Sequence, residues 1–408
     1  MPNSTSQLAP AVTTTCPACG GTNLRGFYRV ADVPVNSVRR IASRDTALAF
    51  PTGTVDLALC PTCGFIFNRA FDAARVRYDQ AYDGTQSFSP TFNAFHKRLA
   101  DDLIARYDLQ GKKVVEIGCG QGEFLHLLAE RGDVRGLGFD PACVTPPTDP
   151  RVEIVDEVYS AAASPPAPDL LCCKMTLEHI PDVAAFMRTI RDTLTDGADT
   201  ILFFQVPDAE RILDEGAFWD IYYEHCSYFT APALAGLFRR AGFAVRRTWT
   251  DYDDQYLMIE AQPAADDASA SSDAEGLRSL DRQVAAFART VPTQQADWRR
   301  WVRAQADADR RVGLWGGGSK AVSFLTSLGL GAEVAFVVDI NPHKQGTHLA
   351  GTGHPVVGPD ALAQRPPDTV VVMNPVYTDE IRSTLHHQGL QPHLLTIEGP
   401  LSSTSSRP

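Results

Sequence analysis

The sequence predicts an α/β protein: a small cysteine-rich module, then two Rossmann-like domains in succession, each a parallel sheet covered by helices. Three observations carry this. Two Cys-x-x-Cys pairs stand near the start, Cys16/Cys19 and Cys60/Cys63. Twice, an apolar run of strand length ends in glycines and opens a helix: Lys113–Ile117 before Gly118, and Arg311–Trp315 before Gly316. Short apolar strands otherwise alternate with helical stretches, the pattern of a sheet buried on both faces. The length of 408 residues agrees, being too great for one usual core.

Taken in order, residues 1–72 form the first module, with a strand-like piece at Leu24–Val30. Residues 73–262 form the central domain. Its apolar periodicity predicts helices at Phe92–Tyr107 and Phe124–Arg131. Its strands are Lys113–Ile117, Val134–Phe139, Asp169–Lys174 and Thr200–Val206. From Gln262 to Glu275 the chain is Ala, Asp, Ser and Pro without a large apolar side chain, which reads as a linker. Residues 263–310 hold this linker and helices from Leu277 to about Arg311, with a break expected near Val291-Pro292. The last domain, residues 311–400, has further strands at Val334–Val338 and Thr369–Met373. The Ser-rich tail after Pro400 is expected to be disordered.

Composition narrows the function. Hydrophobic residues make up 44% and charged residues 21%, as in ordinary globular chains. A formal net charge of −12 argues against a nucleic-acid partner, which would need clustered Lys and Arg. No apolar run approaches bilayer length. Met1–Thr15 lacks the regions of a signal peptide, so a cytoplasmic location is expected. In that compartment nine cysteines, an odd number, suit thiols or metal ligands better than disulfides.

Each cysteine pair sits in a Cys-Pro-x-Cys-Gly turn, Cys16–Gly20 and Cys60–Gly64. Four thiolates would close a tetrahedral structural Zn²⁺ site with no open position for water. Unrelated buried thiols, or a redox pair, are the alternatives.

The first glycine cluster is Glu116-Ile-Gly118-Cys-Gly120-Gln-Gly122. A dinucleotide fingerprint wants a small residue three positions after its second glycine, and here that position is Glu123. S-adenosylmethionine (SAM), which has no phosphate, fits better; Glu116 suits its amino group, and a nicotinamide dinucleotide is the alternative. Asp140 stands twenty-two positions after Gly118, at a strand tip where an acid can accept both ribose hydroxyls. Asp156 is placed to meet the adenine amino group, unless it only forms a turn. Thr176 opens the segment after the next strand, on the same edge.

Two clusters are candidates for chemistry: Thr176-Leu-Glu178-His179-Ile180, and Tyr222-Tyr223-Glu224-His225. The second makes a poor core segment. An imidazole there can take a proton from an acidic carbon. Glu224 would orient or charge-stabilise it, and Tyr222 would donate to a developing enolate oxygen.

The order of Cys-x-x-Cys pairs, Glu-x-Gly-x-Gly-x-Gly, Tyr-x-Glu-His and a second Rossmann-like unit resembles the nucleotide-sugar C-methyltransferases, over about Cys16 to Glu398. That resemblance implies a class I SAM-methyltransferase domain and an acceptor that is a keto-deoxysugar on a nucleoside diphosphate, usually dTDP. It implies that His225 is the base and that His179 shares its pocket. It also implies that tyrosines ahead of the glycine turn, here Tyr78 and Tyr82, line the pocket. The sequence departs from the family at Tyr252–Tyr256, where His-Gly-Gly or similar is common, and at Tyr82–Ser89. Both segments would face the acceptor, so its identity stays open.

In the last domain Gly316-x-Gly318-x-x-Ala321 fits the dinucleotide fingerprint, and Asp339 stands twenty-one positions after Gly318. On spacing alone this is an NAD site. The resemblance points to a degenerate unit that closes over the methyltransferase and holds the acceptor's nucleotide. Gly318, Ser319 and Lys320 at a helix N-terminus would meet its diphosphate, with Asn374 on the same edge. Packing alone is the other reading. The resulting hypothesis is carbon methylation of a nucleotide-linked keto-sugar. O- or N-methylation of another small metabolite, non-catalytic binding, and NAD-dependent sugar oxidation are its rivals. Oligomeric state is left open.

Overall fold

The computed structural model describes residues 12–79, 81–144, 147–160, 162, 167–194, 199–264 and 274–399. Most of the expected linker, the tail and the first eleven residues lie outside them.

The first module is antiparallel: β1 (Arg25–Pro34), a short helix α1 (Arg44–Leu48), β2 (Thr52–Leu59) and β3 (Ile66–Asn68). Both knuckles close in the same way. Gly20 and Gly64, at φ +76 and +74, donate back to the carbonyls of Cys16 and Cys60, each at 2.8 Å. Only glycine adopts that conformation without strain. The fourth strand of this sheet comes from elsewhere: Ser227–Tyr228, two residues beyond His225, pairs with β3. This pairing covers an edge that would otherwise carry unpaired backbone groups, and it stitches the module to the region of the Tyr-Tyr-Glu-His run.

The central domain opens with α2 (Pro90–Tyr107), which Ser89 caps by accepting from the Phe92 N–H. There follow β4 (Lys113–Ile117), α3 (Glu123–Gly132), β5 (Arg135–Phe139), β6 (Val152–Val155), β7 (Leu170–Lys174), α4 (Val183–Thr193), β8 (Ile201–Pro207) and α5 (Ala209–Glu215). The two-residue strand Ser227–Tyr228 is β9, and α6 (Ala231–Arg240), β10 (Phe243–Asp251) and β11 (Tyr256–Pro263) complete the unit. The sheet order is β10-β11-β8-β7-β4-β5-β6, parallel except for both pairings of β11. β4 and β7 lie side by side, so the loops at their carboxyl ends emerge where the strand order reverses, the usual ligand edge of such a sheet. Alternation of apolar runs with helices does not reveal the antiparallel hairpin, because β10 is polar and half-exposed along much of its length.

A 34-residue helix, α7 (Ala274–Asp307), runs through Pro292 without the expected break. A proline inside a helix removes one backbone bond and crowds the preceding turn. Here Val284, Phe287, Val291, Trp298 and Val302 are all buried along one face on both sides of it. Burial of a face that continuous outweighs the one missing bond.

The last unit has five parallel strands in the order β14-β13-β12-β15-β16: β12 (Val312–Trp315), β13 (Phe336–Val338), β14 (Val356–Val357), β15 (Thr369–Val372) and β16 (His393–Thr396). Helices α8 (Ser319–Leu328) and α9 (Thr378–His387) flank it. The three parts share one core. Val33 and Val55 of the module, Trp219 and Tyr223 of the central unit, Phe287 of α7 and Phe324 of α8 belong to a single buried cluster. The Ser323 hydroxyl adds a polar tie, donating to the Ile221 carbonyl at 2.6 Å.

Candidate active site

The glycine turn after β4 is held open by its neighbours. Gly118, Gly120 and Gly122 have φ of +69, +58 and +78. A Cβ on Gly118 would lie 2.0 Å from the Thr176 hydroxyl, whereas one on Gly120 would meet nothing within 4 Å. The backbone of Gly120 therefore faces open space, as a ligand cradle requires. Asp140 organises the turn: one carboxylate oxygen accepts from the Gly120 N–H and the other from the Ala142 N–H, both at 2.8 Å. Burial raises its pKa, and nearby Asp156 raises it further. Asp156 itself is exposed, one residue past β6.

Glu116 is buried inside β4 and meets a residue that motif reading did not single out. The Lys174 ammonium lies 2.8 Å from one of its oxygens and 3.8 Å from the centre of the Phe124 ring. The other Glu116 oxygen is buried without a partner. A lysine closing the apolar strand Leu-Leu-Cys-Cys-Lys was the available signal. An orphaned carboxylate oxygen beside an open glycine turn fits the amino group of a bound SAM.

From Thr176 the chain makes one tight turn, Leu177–His179, which joins this edge to the second cluster. There a row of rings runs through the pocket. Tyr82 and Tyr78 are 5.2 Å apart between centroids, Tyr78 and His179 5.5 Å, His179 and His225 4.7 Å, and His225 and Tyr222 4.1 Å. The Tyr78 hydroxyl is 2.8 Å from His179 Nδ1, and the Glu224 carbonyl is 3.1 Å from the same nitrogen. Burial pulls both imidazoles below their ordinary value, His179 to about 4 and His225 well down. They are neutral at physiological pH, with a lone pair each. Burial raises the Tyr78, Tyr82 and Tyr222 phenols, and the Glu224 charge adds to this in all three. They stay protonated donors.

Glu224 differs from the sequence expectation. Its carboxylate does not reach the His225 ring; it turns into the first module, accepting from Asn36 Nδ2 at 3.0 Å and from the Ser37 N–H at 3.3 Å and hydroxyl. It anchors the loop rather than orienting the imidazole. The neighbouring Tyr223 lies against Gly53, where a Cβ would fall 2.2 Å from its ring, and its hydroxyl accepts from the Asp72 N–H at 2.9 Å. No spacing in the sequence pointed to Asn36, Ser37 or Gly53. Gly53→Ala is expected to push Tyr223 out of place, cutting turnover at least tenfold with SAM affinity unchanged; comparing kcat with SAM binding by calorimetry checks it.

The last domain meets this site along a seam, and its expected diphosphate residues are engaged there. Lys320 is a correction: its ammonium is buried against Asp220 at 2.6 Å, and Arg211 reaches the same carboxylate at 3.1 Å. The Ser319 hydroxyl lies 2.7 Å from the Ser37 hydroxyl, and Asn374 Oδ1 accepts from Gln255 at 2.8 Å. A Cβ on Gly318 would meet nothing within 4 Å. Asp339 accepts from the Gly317 N–H at 2.9 Å and the Asn341 N–H at 2.8 Å, as Asp140 does for the first glycine turn. Gln86, inside the divergent Tyr82–Ser89 segment, donates to Tyr256 at 3.2 Å and accepts from Tyr377 at 2.7 Å. That segment thus spans both Rossmann-like units.

At the far end of the module, Cys16 and Cys63 sulfurs lie 3.6 Å apart and Cys19 and Cys60 3.7 Å, all four within 4.8 Å of one another. Tetrahedral coordination at the usual Zn–S length puts sulfurs about 3.8 Å apart, so the four can hold one Zn²⁺.

Residues 92–248 match the family described as methyltransferase domain, and residues 254–391 match the C-methyltransferase C-terminal domain. The chain belongs to the SAM-dependent methyltransferases. The methyltransferase is similar to C-methyltransferase NovU of Streptomyces niveus, with 25% identity over 90% of each chain. It is also similar to the ubiquinone biosynthesis O-methyltransferase of Neisseria meningitidis serogroup C, with 28% identity over 31% of this chain and 56% of the relative. Among solved structures, the Burkholderia thailandensis 1,6-didemethyltoxoflavin-N1-methyltransferase, with bound S-adenosylhomocysteine, matches at 21% identity and a TM-score of 0.33. That match covers 41% of this chain and 78% of that one. The O-methyltransferase match is limited to part of the chain, whereas the NovU match takes in module, central domain and C-terminal unit of the methyltransferase together. Among the described residues no helix is long and apolar enough to cross a membrane.

Proposed function

We propose that this methyltransferase methylates a carbon alpha to the ketone of a nucleotide-linked keto-sugar, with His225 as base. The observation that carries the proposal is the single turn from Thr176 to His179. Thr176 packs on Gly118 at the cofactor edge, and His179 stands beside His225 three residues later. One short segment thus sets the two halves of a methyl transfer against each other, which is where proximity is worth most. The full-length likeness to a C-methyltransferase supports carbon as the acceptor.

When bound, SAM supplies an electrophilic methyl group. The residues of this chain have to make a carbon nucleophile to match it. A ring nitrogen of His225 takes the proton, and the C–H electron pair becomes the enolate double bond. The Tyr222 phenol, beside His225, would stabilise the oxygen where charge develops, with His179 packed edge-on against the base from its other side. Tyr78 and Tyr82 wall the pocket and keep water from the carbanion. Glu116, Asp140 and Asp156, on the tips of adjacent strands, would hold the amino group, ribose and adenine. The acceptor's nucleotide would lie on the seam near Gly318, Ser319 and Asn374, with Lys320 serving through Asp220 rather than by direct contact.

The test is to incubate the enzyme with nucleotide keto-sugars in deuterium oxide, first without SAM. Deuterium entering the alpha carbon, followed by a gain of one methyl on that carbon once SAM is added, is the expected result. Methyl on oxygen or nitrogen with no exchange would overturn it.

The four cysteines would bind Zn²⁺ as a structural ion. Because the module supplies Asn36, Ser37 and Gly53 to the Tyr222–His225 loop, removing zinc should act at a distance. Chelation, or Cys60→Ser, is expected to lower the melting temperature and turnover together. In small zinc modules on the order of 10 kcal/mol of metal binding is also folding energy. A calorimetric melt and an assay on the same sample check both.

A further inference from the structure

Glu178 is the least explained residue of the pocket. Both its oxygens are buried, and neither has a hydrogen-bond partner. Such a carboxyl costs a few kcal/mol unless something else engages it, and an ion is one of the few things that can. One oxygen of Glu178 and one ring nitrogen each of His179 and His225 lie within 4.8 Å of one another. His179 Nδ1 is already engaged by Tyr78 and the Glu224 carbonyl, at 2.8 and 3.1 Å, which pins the ring and leaves Nε2 without a protein partner. Neither ring nitrogen of His225 meets a polar group among the described residues, although the residue is only 5% exposed. Three ligands at about 2.1 Å from one cation stand roughly 3.4–3.6 Å from one another, so the set would close by up to about 1.4 Å on taking up the ion.

We propose that Glu178, His179 and His225 form a second metal site, separate from the four cysteines, that takes a first-row divalent cation such as Zn²⁺ or Co²⁺. Two imidazoles and one carboxylate suit those ions and not Ca²⁺ or Mg²⁺, which want oxygen ligands. Three protein ligands leave a coordination position open, unlike the closed cysteine site. The consequence, resting on the reading of His225 as base, is inhibition: a lone pair that holds a cation cannot also take a proton. The site would make the enzyme sensitive to free transition metal.

The experiment starts from protein whose cysteine site is filled with zinc and titrates it with Co²⁺, read by calorimetry and by the visible absorption of bound Co²⁺. One further equivalent is expected. Glu178→Gln and His225→Ala should each weaken it at least tenfold while retaining SAM binding, which reports that they fold. No equivalent beyond the cysteine site, or one that both variants leave unchanged, overturns the proposal. Methyl transfer is then assayed with and without Co²⁺, and inhibition that a chelator reverses is expected. If Co²⁺ binds as described and turnover is undiminished, the metal site stands and the assignment of His225 as base falls.

Discussion

His225→Ala is expected to lower methyl transfer by about 10²–10⁴-fold, the range general-base removal usually costs, while SAM binds as in the unaltered protein. The residue lies two positions before β9, and its ring contacts are with His179, Tyr222 and, more distantly, Tyr228. No hydrogen bond from its side chain holds the fold together, so truncation removes the nitrogen without unpairing a neighbour. Deuterium exchange into the acceptor should vanish in step with turnover. Loss of SAM binding along with activity would mean that the imidazole supports the cofactor edge and not the proton transfer. Full activity would remove the base from the mechanism altogether.

Gly118→Ala should abolish measurable SAM binding and leave the rest of the protein folded. Its Cβ would sit 2.0 Å from the Thr176 hydroxyl and 2.7–2.8 Å from two carbons of the same side chain. At φ +69 any Cβ also costs roughly 1–2 kcal/mol in the backbone. Relief requires Thr176 to move, and Thr176 opens the turn that carries His179. Both cofactor affinity and turnover are therefore expected to fall, in contrast to His225→Ala, where only turnover falls. Calorimetric SAM titration alongside a melting curve distinguishes them. Gly120→Ala is the useful comparison, since at φ +58 it carries a similar backbone cost while its Cβ meets no protein atom; a loss of affinity there without a change in the melting curve reports a ligand lying on the backbone.

Much of this site is legible in the chain because its parts are local. The glycine turn, Asp140 at the end of β5 and the cysteine knuckles each sit in a few consecutive residues whose chemistry is unusual for a core. The strands that carry the glycine turn and Asp140 are apolar and short, so alternation finds them to within a residue or two, whereas in the cysteine module Leu24–Val30 stops four residues short of the end of β1. β10 escapes this reading because polar and half-exposed positions run through it. Pro292 misleads because a local rule about one backbone bond competes with a buried face that runs the length of α7, and the face prevails.

What stayed hidden is everything that depends on two distant segments meeting. Glu224 looks like the natural partner of the histidine beside it, yet adjacent side chains in an irregular loop seldom face each other. Its carboxylate finds Asn36 and Ser37, nearly 190 residues earlier. Lys320 stands at a helix N-terminus suited to a diphosphate, and its ammonium is instead drawn to Asp220, 100 residues away, because a buried carboxylate must be paired. Glu178 draws no attention between a leucine and a histidine until its oxygens prove to be buried and alone.

The sequence by itself determined the fold class, the cofactor edge and the chemistry available: which strands end in glycine, where an acid can meet a ribose, and that imidazoles and phenols lie near by. Those follow from short-range patterns, since strand period, turn conformation and ligand spacing are properties of neighbouring residues. Only the tertiary structure decided which of these groups touch. It brought the cysteine-knuckle module against the Tyr222–His225 loop and put two histidines from different loops edge to face, because burial and charge pairing are settled between surfaces and not along the chain.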